Sequence, residues 1–212
     1  MGKTGAKGDS YYGQVATNYQ KRRAKQPWWT TEQEEMHSLL KTLPRGLSVL
    51  DVPFGTGRFV PFYRENAYSI FGLDASADML KAAQSILGPA YEHCTTSTGS
   101  ATSLPYPDAS FDLVSSVRFI RDIIIKPDAV KAMQEFARVS RKYAIIQLGQ
   151  HSGTGSDVLA DLDDTLPLHS QLSAAGNTAM LQELGFGIVD KRLVKSDPDD
   201  ASEVYHFLLE KR

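Results

Sequence analysis

Between residues 47 and 148, short apolar runs alternate with amphipathic stretches, and the first two runs each end on an acid. A continuous apolar run bounded by turn residues reads as a strand buried on both faces. A parallel partner then requires a crossover helix. The first run covers residues 47–52 and is followed by the turn Gly55-Thr56-Gly57 and a helix over 58–66. The second covers 69–73, ends at Asp74, and leads into a helix over 78–87 with Met79, Leu80, Ala83, Ile86 and Leu87 inward. Further strands are expected at 91–96, 111–117 and 143–148, the last preceded by a helix over 128–141 with Val130, Met133, Phe136 and Ala137 as its apolar stripe. Such repetition implies right-handed βαβ units and helices on both faces of a mostly parallel sheet.

The two ends of the chain depart from this pattern. Residues 1–25 hold Lys3, Lys7, Lys21, Arg22, Arg23 and Lys25 against Asp9 alone. A helical face over Tyr12, Ala16, Tyr19 and Arg23 is expected to stop at Pro27. A second helix, with Thr31 as cap, carries Met36, Leu39, Leu40 and Leu43 on one side and stops at Pro44-Arg45-Gly46. Residues 1–45 thus form an N-terminal helical extension, and 46–212 the main domain. Beyond strand five, residues 151–170 are acidic and weakly periodic and read as an insertion or loop. A helix over 171–184 and strands over 188–194 and 204–209 follow, the two strands making a hairpin on the sheet edge.

Composition narrows the function. The chain has 212 residues, 42% hydrophobic, with a formal net charge of -2. That balance disfavours a protein held to nucleic acid by bulk charge, although the basic N-terminus leaves room for an anionic acceptor or nucleic acid. One cysteine, Cys94, gives neither a disulfide framework nor a cysteine-built zinc site, and His93 beside it points the opposite way along a strand. No apolar run reaches the length of a membrane span, and the N-terminus has no secretory apolar segment, so a cytoplasmic location is expected.

Ligands of open α/β sheets sit beyond the carboxyl ends of the strands. Three segments lie there. The first is Val49-Leu50-Asp51-Val52-Pro53-Phe54-Gly55-Thr56-Gly57-Arg58-Phe59, the second Phe71-Gly72-Leu73-Asp74-Ala75-Ser76-Ala77-Asp78-Met79-Leu80, and the third runs over residues 99–114, beginning Gly99-Ser100-Ala101-Thr102. Asp74 follows the glycine turn at a spacing suited to a carboxylate gripping ribose hydroxyls. A dinucleotide site would need G-x-G-x-x-G, but Val60 stands at the third glycine, and no G-x-x-x-x-G-K-[ST] is present.

These segments, with Glu135-Phe136-Ala137-Arg138-Val139 before strand five, resemble the linked motifs of class I S-adenosylmethionine-dependent methyltransferases, and among them the small enzymes of the ubiquinone-biosynthesis type. Pro53 stands where the family has its first motif glycine, and Ser100 where it usually has an aspartate reaching the adenine amino group. The resemblance implies a Rossmann-like, doubly wound, seven-stranded sheet with an antiparallel C-terminal hairpin strand. It implies S-adenosyl-L-methionine as cofactor and a small-molecule methyl acceptor. It places Asp51, Pro53, Gly55 and Gly57 around the methionine and ribose, Asp74 and Ala75 at the ribose, Met79, Ser100 and Ala101 near the adenine, and Val117 near the sulfonium. Tyr12, Tyr19 and Arg23 would close over the methionine end as a lid, with Trp28 and Trp29 as an acceptor wall or a satellite core. Arg118, Arg121, Asp122 and His151 are the candidates near the acceptor, none of them a clear base. The N/D-P-P-Y/F motif of amino-methylating DNA enzymes is absent, and no Pro-Cys nucleophile follows strand four. A cofactor-binding protein without methyl transfer and a nicotinamide-dependent enzyme are the competing readings.

Overall fold

The computed structural model describes residues 11–120, 125–151, 153, 155–166, 168, 171–199 and 201–212. The elements are α1 (Gln14–Arg23), α2 (Trp29–Thr42), β1 (Ser48–Asp51), α3 (Val60–Glu65), β2 (Ser69–Asp74), α4 (Ala77–Leu87), β3 (Cys94–Thr98), β4 (Phe111–Ser116), α5 (Lys126–Val139), β5 (Ser140–His151), α6 (Ala174–Glu183), β6 (Phe186–Asp197) and β7 (Ser202–Lys211). One seven-stranded sheet runs in the order β3-β2-β1-β4-β5-β7-β6. The first five strands pair in parallel, and β7 lies antiparallel between β5 and β6.

Side-chain alternation divides the core into two layers. Val49, Leu113, Ile145 and Leu208 face the side covered by α2, α3 and α4. Their neighbours Leu50, Val114, Ile146 and Leu209 face α5 and α6. A period of two along each strand therefore feeds both faces, as doubly wound packing demands. No helix among the described residues is long and apolar enough to cross a membrane.

Several local expectations are corrected. The third strand begins at Cys94, because Gly88–His93 coils as a short 3-10 helix starting Gly88-Pro89. On α4, Met79, Leu80 and Ala83 are buried, but Ile86 is 43% exposed. Val130 on α5 is only half-buried, and Ala129 and Ala132 fill the contact with the sheet instead. Thr31 does not cap α2, whose N-cap position is Trp28. The late helix starts at Ala174 after Ser173, whose hydroxyl accepts from the Gly176 amide at 3.0 Å. The C-terminal hairpin does lie at the edge of the sheet as expected, with β7 against β5 and β6 outermost. In the described part of 151–170, Leu162 and Leu168 are buried in the core layer of α5 and α6.

The N-terminal extension is fastened through one buried acid. Glu32 on α2 is fully buried. Its carboxylate accepts from Arg118 Nε at 3.0 and 2.8 Å and from Gln147 Nε2 at 2.6 Å, and it pairs with Arg58. His206 on β7 donates from Nε2 to the Glu32 carbonyl oxygen at 3.1 Å. A carbonyl can only accept, which places the ring proton on that nitrogen. Burial opposes the Glu32 charge, but Arg58 and the hydrogen bonds from Arg118 and Gln147 hold its carboxyl at about 2. Burial drives His206 the other way for a base, down to about 4.

Three outcomes follow from this packing. Glu32→Gln leaves two guanidiniums buried without their counter-charge and should lower the unfolding free energy by about 3–5 kcal/mol in urea titrations. His206 takes a proton below about 4 in the fold, against an ordinary value of 6.5. The unfolded chain therefore protonates first as the pH falls, so this contribution is complete above pH 6.5 and is lost on descending to 4. His206→Gln should flatten the stability profile between those values. Gly72 on β2 lies where a Cβ would sit 2.3 Å from the Phe54 ring. Gly72→Ala should cost about 1–3 kcal/mol, and distinctly less in a Phe54→Ala background.

Candidate functional site

The sheet reverses its strand order between β1 and β4, the point where such sheets receive ligands. β1 ends at Asp51. The chain then turns through Val52 and Pro53, joined by a cis peptide bond, to Phe54 and Gly55. Gly55 adopts φ +58, a left-handed conformation that glycine takes without penalty. Its amide donates to Asp74 Oδ2 at 2.8 Å, while the Ser76 amide donates to Oδ1 at 2.9 Å. The carboxylate at the end of β2 is thereby oriented by two backbone N–H groups. Burial raises the pKa of Asp74, and these two hydrogen bonds oppose the rise.

A cavity of about 240 Å³ opens above these strand ends. Pro53, Gly55, Asp74, Ala75 and Met79 line one part of it, Ser100 and Ala101 the adjoining part, and Val117 and Tyr19 the remainder. Met79 Cε comes within 3.7 Å of where a Gly55 Cβ would be, so the thioether lies over the glycine turn. The Ser100 hydroxyl is tied to Thr102 Oγ1 at 2.8 Å and accepts from the Thr102 amide at 3.2 Å.

Asp51, Gly57 and Arg23 do not line this cavity. Asp51 is 3% exposed beneath the turn, where burial lifts its carboxyl well above the usual range against the pull of Arg58. Gly57 faces Leu87 and the Phe54 ring. Arg23 donates to the Tyr11 hydroxyl at 3.3 Å and its guanidinium stands 5.2 Å from the Tyr19 ring centroid. It supports the tyrosines rather than entering the space they enclose. Burial raises the Tyr19 phenol pKa, opposed first by Arg23.

The structure also redistributes the other expected groups. Tyr12 is 46% exposed, and Tyr11 lines the cavity in its place. Tyr11 precedes α1, and its carbonyl accepts from Ser76 Oγ at 2.6 Å. Helical periodicity carried no signal for it. Arg118 lies on the wall with φ +58, but its side chain turns to Glu32 and to Gln26 Oε1 at 2.8 Å. Trp28 lies 4.0 Å from that guanidinium and Trp29 4.4 Å from Arg58, so the tryptophans are platforms for the arginines and not a wall of the cavity. His151 ends β5 opposite Ser202, outside the cavity. Cys94 is half-buried, its thiol pushed up to about 11 by burial. Arg121 and Asp122 lie outside the described residues. Phe119, Thr102 and Asp128 line the cavity without having been singled out in the sequence, where each reads as ordinary loop or helix-start chemistry.

Residues 50–147 match a family described as a methyltransferase domain. Over 101 residues the chain is 32% identical to a demethylmenaquinone methyltransferase of Anoxybacillus flavithermus, a match covering 46% of this chain and 41% of that protein. The alignment thus spans less than half of that relative's length. Among solved structures, magnesium protoporphyrin IX methyltransferase from Synechocystis PCC 6803, with bound S-adenosylhomocysteine, superposes with a TM-score of 0.67 at 16% identity, covering 96% of this chain and 97% of that one. The [4+2]-cyclase SpnF superposes with a TM-score of 0.67 at 19% identity, covering 88% and 83%. At those identities the structural likeness establishes the fold alone. Residues 50–147, a little under half of the chain, are thus similar to a methyltransferase domain.

Proposed function

We propose that this chain transfers a methyl group from S-adenosyl-L-methionine to a small-molecule acceptor. The reading rests above all on the Asp74 carboxylate, aimed by the Gly55 and Ser76 amides on the wall of a cavity at the strand-order reversal. An ionised carboxylate offers about four acceptor positions. Two are used by the backbone, which leaves capacity for a pair of ribose hydroxyls. The apolar faces of Met79, Leu73 and Ala101 suit a flat purine. Ser100 offers its adenine edge a neutral hydroxyl. Buried Val60 at the start of α3 stands where a pyrophosphate-binding turn would need its last glycine. The residues present therefore fit a sulfonium nucleoside better than a dinucleotide.

In this reading Pro53 and Gly55 flank the methionine portion, Val117 approaches the sulfur, and residues 11–23 form a lid that seats Tyr11 and Tyr19 over it. The cofactor, when bound, supplies a methyl group already activated for displacement. The chain's own task is to align the acceptor and keep water out, which positioning alone can largely achieve. Phe119 and the two tyrosines shape the acceptor side. The demethylmenaquinone and magnesium protoporphyrin IX enzymes are named for small acceptors, which supports the same class here.

The SpnF superposition motivates a second reading, since that neighbour is named for a cyclisation. Cofactor binding without methyl transfer would leave no S-adenosylhomocysteine. Product analysis separates the two: transfer yields that product in step with methylated acceptor. For the site itself, calorimetric titration with S-adenosylhomocysteine should show Asp74→Ala weakening binding at least tenfold, about 1.4 kcal/mol, in protein whose melting confirms the fold. Unchanged affinity would remove Asp74 from the site.

A further inference from the structure

The titratable side chains on the cavity wall, among the described residues, are Tyr11, Tyr19, Asp74, Arg118 and Asp128. Four are engaged. The Tyr11 hydroxyl accepts from Arg23, and the Tyr19 ring meets Tyr11 edge-on at 5.5 Å beneath the same guanidinium. Asp74 is held by two amides. Arg118 is neutralised by Glu32. Asp128 makes no hydrogen bond or ion pair with any described residue, and the cation nearest it in sequence is turned away: Lys126 Nζ donates to the Leu162 carbonyl at 2.7 Å and pairs with Asp164 at 2.8 Å.

Its position adds to the point. Asp128 is half-buried in the first turn of α5, the helix that packs on β4 and β5. Asp74 ends β2, two strands along the sheet on the other side of β1. Asp128 therefore shares with Val117 and Phe119 the β4 side of the cavity, away from the ribose carboxylate. A half-buried carboxylate on a largely apolar cavity wall loses hydration without a compensating partner among the described residues, and so stands ready for a hydrogen-bond donor brought by a ligand.

We infer, on the footing of the methyl-transfer reading, that Asp128 is a catalytic residue for an apolar, aromatic acceptor bearing an N–H or O–H. It accepts that group's hydrogen bond and removes its proton. The acceptor's lone pair forms the bond to the methyl carbon, the carbon–sulfur bond breaks with its electron pair left on a neutral thioether, and the released proton passes to the Asp128 carboxylate and then to water. Carbon nucleophiles and tertiary amines, which present no such proton, are disfavoured.

The test uses a matched pair of probes, 2-naphthol and 2-methoxynaphthalene, titrated by NMR into full-length protein saturated with S-adenosylhomocysteine. Wild type should prefer the naphthol by about fivefold or more, the worth of one hydrogen bond to a charged acceptor. Asp128→Ala should abolish the preference while leaving S-adenosylhomocysteine affinity unchanged. Asp128→Asn, of the same size, retains an acceptor oxygen but no base; it should keep part of the preference and lose methyl transfer to whichever acceptor wild type labels. No preference in wild type, or a preference that survives Asp128→Ala, overturns the inference. So does a large loss of S-adenosylhomocysteine affinity in Asp128→Ala, which would assign the carboxylate to the cofactor. Failure of wild type to bind S-adenosylhomocysteine at all would instead overturn the methyl-transfer reading.

Discussion

The buried Glu32 carboxylate is the constraint around which the rest of this molecule is arranged. It gathers Arg58 from the loop before α3, Arg118 from the end of β4 and Gln147 from β5, and its own backbone carbonyl takes His206 from β7. A single acid between two guanidiniums is tolerable in the interior only because every oxygen is hydrogen-bonded and the arginines stack on Trp28 and Trp29. The consequence reaches the cavity. Arg118 holds a left-handed backbone conformation, uncommon for a residue with a side chain, and its guanidinium is anchored on the N-terminal extension. The wall formed by Val117, Arg118 and Phe119 is thus set from outside the sheet.

The other side of the cavity is set from within the sheet. Gly72 lets the Phe54 ring lie against β2, and Phe54 in turn brings the Gly55 amide to Asp74. The amide of Phe54 donates to the Leu73 carbonyl at 2.8 Å, which locks the turn to the neighbouring strand. The Asp74 side of the cavity is thus fixed by backbone hydrogen bonds, whereas the β4 side combines aromatic side chains with one carboxylate unengaged by any described residue.

Much of this was legible in the residues. Apolar runs ending at Asp51 and Asp74 announced two parallel strands and placed the site at their ends. Pro53, Gly55, Ala75, Met79, Ser100, Ala101, Val117 and Tyr19 do meet around one cavity. Local pattern misled where a neighbour in space outweighed it. Asp51, which the resemblance puts at the methionine end, lies 3% exposed beneath the turn that follows it. Arg23, which the resemblance sets toward the cofactor's carboxylate, meets the Tyr11 hydroxyl and the Tyr19 ring. The choice of Tyr12 over Tyr11 came from extending a helical period past the point where the helix begins.

The sequence by itself determined the class of fold, the strand ends that border the cavity and the acid that closes β2, because periodicity and glycine placement act over a few residues. Only the tertiary structure decided which cations are neutralised, which tyrosine reaches the cavity and which carboxylate stays unengaged. Those outcomes depend on contacts such as Glu32 with Arg118 and Gln147, far apart along the chain, where burial and not local pattern sets the energy of each charge.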